Sequence, residues 1–249
     1  PKRERSAAVE STSRSAEVSL LTELPRPSDL KRHVMRSAPI ESIWRFINPL
    51  MLYGRHLGIK GSTVRKLWDA GPAWQELENE EPKAVSIWRA VEEVKEAYRG
   101  TEVLQANAVF EFFEATASGN KLTLLRDGKQ AAAFEFPRQR RENGLCLSDY
   151  VAPQPINGKP DTVAAFVVTV GRGIRQLAET LKERGEYLKS HVIQALAIES
   201  AEAYAEMLHG QLRSLWGFPD APEMTMMERF QAKYRGCRYS FGYPACPRL

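Results

Sequence analysis

Cysteine is scarce in this sequence. Cys146, Cys237 and Cys246 are the only three in 249 residues, widely spaced and without a CxxC pair. An odd, scattered set argues against a disulfide framework and fits reduced thiols in the cytoplasm. Histidine is equally sparse, and His33, His56, His191 and His209 stand at no spacing that binds a metal. No apolar run approaches the roughly 18 residues that a membrane-spanning helix needs, and no signal-peptide pattern opens the chain. An excess of one charge is lacking too. The 35 basic residues exceed the 31 acidic ones by four, and the two kinds are interspersed. That balance gives no electrostatic footprint for nucleic acid, although it suits an acidic protein partner. The expectation is a soluble cytoplasmic protein with no metal, nucleic acid or membrane to bind.

What the sequence does contain is enough apolar material, 43% of residues, for a substantial core. Its opening stretch, PKRERSAAVESTSRSAEVS, is charged, serine-rich and almost free of large apolar residues. It predicts a disordered interdomain linker over residues 1–24, ahead of a single domain over residues 25–249. The start at Pro1 without methionine, and the stop directly after the turn-rich FGYPACPRL, suggest a chain cut from a longer one at both ends.

Hydrophobic periodicity sketches the elements. Residues 25–35 read as extended. A short helix fits Pro39 to Ile47, with Ile40, Ile43, Trp44 and Ile47 on one face and Pro49 ending it. A loop marked by Gly54, Gly58 and Gly61 follows, then a helix containing Val64, Leu67 and Trp68, and another from Pro82 carrying Ile87, Val91, Val94 and Tyr98. From Ala108 the pattern changes to AVFEFFEA, KLTLL and AAAFEFP, separated by Ser118-Gly119-Asn120 and Asp127-Gly128, which predicts an antiparallel meander. A further strand is expected over Asp161 to Gly171, then a helix near Ile174 to Arg184 and a long one from about Glu186 to Leu215. The fold class is α+β: a mainly antiparallel sheet flanked by helices.

The most unusual local sequence is RYSFGYPACP, from Arg238 to Pro247. A glycine, two prolines and three aromatic residues close together make a restricted segment that suits either a binding loop or a rigid surface turn. This run resembles the RxxxGYPACP signature of the activation domain of cobalamin-dependent methionine synthase. PIESIWRFINPLMLYGRHLG, FEFPRQ, LCLSDYVAP, VAAFVVTVG and EYLKSHVIQALAIESAEAYAEMLHGQLRSLWGF agree with the same family in order, so the resemblance covers nearly everything from Pro25 onward.

The resemblance implies a site for S-adenosylmethionine and no catalytic side chain. Arg238 aligns with the signature arginine, which in the family holds the carboxylate of the methionine moiety, a task suited to the guanidinium fork. Glu202 aligns with a helix glutamate lining the same site, but Glu199 and Glu206 stand one turn away on either side, and the spacing alone does not choose among the three. Gly242 and Tyr243 match the Gly-Tyr pair that bounds the ligand. Asn48 stands where some members of the family have an aspartate that takes the ligand's ammonium group. It retains an acceptor without the charge, and it serves equally as a helix terminator before Pro49.

In function, the resemblance implies the reactivation part of a methyltransferase, 5-methyltetrahydrofolate-homocysteine methyltransferase, in methionine biosynthesis. By itself this domain is not expected to turn over methionine. Cobalamin is expected on a neighbouring domain of the same enzyme, with flavodoxin or a methionine synthase reductase as electron donor. The family continues past its signature into further helix and strands that complete the sheet and the ligand site, so a C-terminally incomplete domain is expected here. The alternative is an interaction module that docks on a cobalamin protein or flavodoxin without binding ligand itself.

Overall fold

A strand of 13 residues, β2 (Ala106–Ser118), organises the sheet of this computed structural model, which describes residues 12–68 and 74–248. Successive side chains of a strand point to opposite faces. Ala106, Ala108, Phe110 and Phe112 therefore enter the main core, while Ala115 and Ala117 enter a second core on the other face. One strand serving two cores explains why AVFEFFEA shows no clean polar-apolar alternation.

Along one edge, β2 pairs antiparallel with β5 (Asp161–Val170), from Ala106 opposite Val170 to Ala115 opposite Asp161. Two strands share the other edge in succession: β1 (His33–Ala38) up to Phe110 and β3 (Lys121–Arg126) from Glu114. Between them the buried Glu111 accepts from Arg32 Nε at 3.0 Å and Arg126 Nε at 2.8 Å, so an ion triad bridges the break in pairing. β4 (Lys129–Glu135) completes the sheet through a tight hairpin at Asp127 and Gly128, both with positive φ as a type I′ turn requires.

Helices cover one face. α6 (Tyr187–Leu215), about 44 Å long, packs on β5 and against α1 (Ile40–Trp44), α4 (Pro82–Tyr98) and α5 (Ile174–Glu183). Trp216, just past its end, meets the Phe112 ring edge-on at 5.2 Å and donates to Thr162 Oγ1 at 2.8 Å. α3 (Trp74–Glu80) packs on α4 and α2 (Gly61–Trp68) on α3, and the short α7 (Met226–Phe230) starts at a reciprocal cap between Thr225 and Glu228. The α+β architecture is as predicted.

Three details differ from the sequence reading. α1 stops at Trp44, three residues early, and Leu50–His56 forms a π-helix where a glycine loop is predicted. Burial of Leu52 and Tyr53 against the core offsets the poor helical propensity of Gly54. Neither α3 nor α7 is foreseen; both are too short for periodicity to register. Within the stretch expected to be a disordered linker, residues 14–17 make specific contacts. Ser15 is buried and donates to the Asn143 carbonyl at 2.6 Å, Arg14 Nη2 donates to the Asp149 carbonyl at 2.8 Å, and Glu17 pairs with Arg141. Residues 1–11 of that stretch lie outside the described residues.

Candidate functional site

Along α6, Glu199, Glu202, Glu206, His209 and Arg213 recur at alternating spacings of three and four, which sets them on one face of the helix. All except Glu202 are buried. Burying polar groups is costly unless they are paired, and the pairing partners of this seam come from three other segments. His56, at the end of the π-helix, pairs with Glu199 Oε1 at 2.8 Å. Asp220 takes both Nε and Nη2 of Arg213, at 2.6 and 2.7 Å, and also pairs with Arg229. Between these ends, Tyr234 donates to Glu206 Oε2 at 3.2 Å, and Arg238 Nη2 donates to Glu202 Oε1 at 2.6 Å and Glu206 Oε2 at 3.1 Å. The Tyr234 ring lies 3.7 Å from the Arg213 guanidinium carbon and edge-on to His209.

This seam biases its titratable groups. Burial works against the charge of Arg238, but its bonds to Glu202 and Glu206 outweigh that and raise its pKa above the ordinary arginine value. Burial, reinforced by the positive charges of Arg213 and Arg238, pushes His209 down to about 3. His209 is therefore neutral at physiological pH. Burial also raises the Glu199 carboxyl against the opposing pull of His56. The Arg213 hydrogen bonds hold Asp220 below the usual carboxylate range.

Downstream of Arg238 the chain closes a small turn. Gly242 N–H donates to the Cys246 carbonyl and Cys246 N–H to the Tyr243 carbonyl, both at 2.8 Å. Gly242 has φ of +95°, a conformation that L side chains rarely adopt. Cys246 is buried in the second core, and Phe241 and Tyr239 rest on the Phe134 and Tyr150 rings. The hairpin β3–β4 and the loop after it thus anchor the turn, leaving Tyr243 exposed.

The structure brings Arg238 and Glu202 together and sets Gly242 and Tyr243 in the adjoining turn. Asn48 lies at the start of the π-helix, where its Oδ1 accepts from Leu50 N–H at 3.0 Å and its carbonyl from Met51 and Leu52. Its observed work is that of a cap. Of the three glutamates, Glu199 goes to His56, whereas Glu202 and Glu206 both go to Arg238. Spacing alone leaves all three open; the structure adds Glu206 to Glu202 in the cluster, and the three-four spacing down to Arg213 is the signal the sequence offers for it.

Several buried polar atoms of the seam have no partner among the described residues: Arg238 Nε, Arg213 Nη1, Glu206 Oε1 and His209 Nδ1. The set combines cationic donors with a carboxylate acceptor, a chemistry that suits a ligand bearing both a carboxylate and an ammonium group. Among the described residues no three His, Cys, Asp or Glu side chains are grouped to hold a metal, and no helix is long and apolar enough to cross a membrane.

Residues 59–249 match the family model for the vitamin B12 dependent methionine synthase activation domain. The chain is 26% identical over 245 residues to methionine synthase of Mycobacterium tuberculosis (strain ATCC 25618 / H37Rv), and 26% over 242 residues to that of Mycobacterium leprae (strain TN). These matches cover 91% of the chain but only 20% and 19% of the relatives, so it spans about a fifth of their length. Among solved structures it is similar to a crystal structure of the MetH reactivation domain bound to AdoHcy. That match has a TM-score of 0.76 and 25% identity, and covers 90% of this chain and 68% of the other.

Proposed function

The chain belongs to the activation-domain family of vitamin B12-dependent methionine synthase, and from that premise we propose that it binds S-adenosylmethionine for the reductive reactivation of cobalamin carried by another domain. The observation that carries the reading is the Arg238–Glu202–Glu206 cluster beside the Gly242-Tyr243 turn. It is supported by the AdoHcy in the similar reactivation domain, since AdoHcy is what remains once S-adenosylmethionine has given up its methyl group.

When bound, S-adenosylmethionine supplies the methyl group. The chain's own residues bind and orient it. Arg238 takes the ligand carboxylate through its guanidinium fork, Glu202 attracts the ammonium, and Gly242 and Tyr243 bound the ligand with backbone and ring. Asn48 retains only a neutral amide for this purpose, so its contribution is the smallest of the five. No proton transfer is required of any of them, and the bond making belongs to the cofactor. The domain proper is residues 25–249, with the contacts of residues 14–17 lying outside that boundary. The rest of the reading is a methyltransferase of methionine biosynthesis in the cytoplasm, with the electron delivered by flavodoxin or methionine synthase reductase.

Calorimetric titration of the chain with S-adenosylmethionine and AdoHcy tests the reading. Saturable one-to-one binding of both is the expected result. Absence of binding, with the protein shown to be folded, overturns it and leaves the ligand-free docking module in its place.

A further inference from the structure

Two carboxylates share one nitrogen of Arg238, yet their surroundings differ. The Glu202 side chain is 62% exposed and holds Arg238 through a single oxygen, whereas the Glu206 side chain is 11% exposed and its Oε2 also takes the Tyr234 hydroxyl. An exposed ion pair exchanges readily with water, while a buried carboxylate cannot leave its partners without a heavy desolvation cost. Glu202 is thus free to give way when another carboxylate approaches Arg238. Glu206 is not.

From this asymmetry, and resting on the ligand reading above, we infer that Glu206, backed by Tyr234, is the positioning residue that aims Arg238 and so confers selectivity for ligands that carry a carboxylate. The guanidinium is planar and rigid, so fixing Nη2 also fixes the direction of its Nε edge. Nε is buried and has no partner among the described residues, and Nη1 donates to none of them either. The support behind Glu206 is itself fixed. Tyr234 stacks on the Arg213 guanidinium, and Arg213 is held by both oxygens of Asp220. A chain of contacts from Asp220 through Arg213, Tyr234 and Glu206 therefore ends at Arg238, with two of its members, Arg213 and Glu206, on a single helix.

AdoHcy and its decarboxylated analogue, which keeps the amine and the nucleoside but lacks the carboxylate, separate an effect through Arg238 from general loosening. Both are titrated calorimetrically into the wild-type chain and the Glu206→Gln, Tyr234→Phe and Glu202→Gln variants, with thermal melting as the check of folding. Glu206→Gln is expected to weaken AdoHcy about tenfold, the equivalent of one aimed charge-assisted contact, and to leave the analogue within about twofold. Tyr234→Phe shows the same selective pattern at about threefold and carries the test if Glu206→Gln fails to fold. Glu202→Gln weakens both ligands alike, because both retain the ammonium group. Equal losses for both ligands in Glu206→Gln or Tyr234→Phe overturn the inference, as does no loss in either. In each of those cases the ligand reading survives, since the wild-type chain binds. If the folded wild-type chain binds neither ligand, both readings fall together.

Discussion

His209 and Arg238 occupy one seam but make opposite demands on charge. Inside the fold His209 stays neutral down to about pH 3, while in the unfolded chain it takes up a proton near its ordinary value of 6.5. As the pH falls below 6.5 the unfolded state binds the extra proton, so stability drops by about 1.4 kcal/mol per pH unit until the folded value is reached. Asp220, whose folded pKa is depressed, keeps its stabilising effect throughout the window from 6.5 to 4.5 and loses it only in stronger acid. The raised Glu199 works in the opposite sense at the lower end of that window. The comparison of wild type with His209→Gln therefore isolates the histidine: urea denaturation at pH 7.5, 6 and 5 should show a steeper loss in wild type. Parallel profiles would mean that His209 is charged in the fold. For Arg238 the test is the kind of cation. Arg238→Lys keeps the charge but not the fork, and AdoHcy binding should weaken by about 1.5–3 kcal/mol with little change in melting temperature. Equal affinity would reduce Arg238 to a structural role.

At the scale of elements, the loop after β4 explains how a turn that carries ligand-site residues is held in place. Arg138 and Asp149 form a two-pronged pair at 2.6 and 2.8 Å, both nearly inaccessible, and Asp149 also accepts from Cys146 N–H at 2.9 Å. Next to it, Tyr150 touches Tyr239 of the signature segment. Replacing one partner strands the other as a buried charge, so Arg138→Met should cost about 3 kcal/mol or more in urea denaturation; a cost below about 1 kcal/mol would show that water enters the pair. Such a pairing is invisible to periodicity. The sequence makes α4, α5 and α6 legible through a period of 3.6, and the β2–β4 meander and β5 legible as short apolar runs set off by turn residues. It does not make the π-helix legible, because that turn is imposed by the burial of Leu52 and Tyr53. The site follows the same division. Arg238 is readable from a local motif, but the choice among Glu199, Glu202 and Glu206 depends on which part of the α6 face meets the segment around Tyr234, some thirty residues away in sequence.

Across the whole molecule the sheet separates two cores, and residues 12–19 lie over the smaller one's loop. A linker reading follows from composition, since this stretch has little apolar surface to offset the entropy of ordering. What composition does not reveal is that the buried Ser15 has the Asn143 carbonyl to donate to and that Arg14 has both the Asp149 and the Val18 carbonyls. Buried or charge-assisted bonds of this kind are worth about 1 kcal/mol each net of water. The exposed Glu17–Arg141 pair adds little. Two deletions separate these terms from anything contributed by residues 1–11: one removes residues 1–11, the other residues 1–19. The longer deletion also leaves the Asn143 and Asp149 carbonyls to water, so it should be less stable than the shorter one by about 1–3 kcal/mol, which for a chain of this size is a melting temperature lower by roughly 2–10 °C. Arg14→Ala and Ser15→Ala should each account for part of that difference. Identical melting of the two deletions would return residues 12–19 to the role of a passive linker, whereas the expected gap makes them an integral strap that holds the Asp149 loop, and through Tyr150 and Tyr239 the turn beside Arg238.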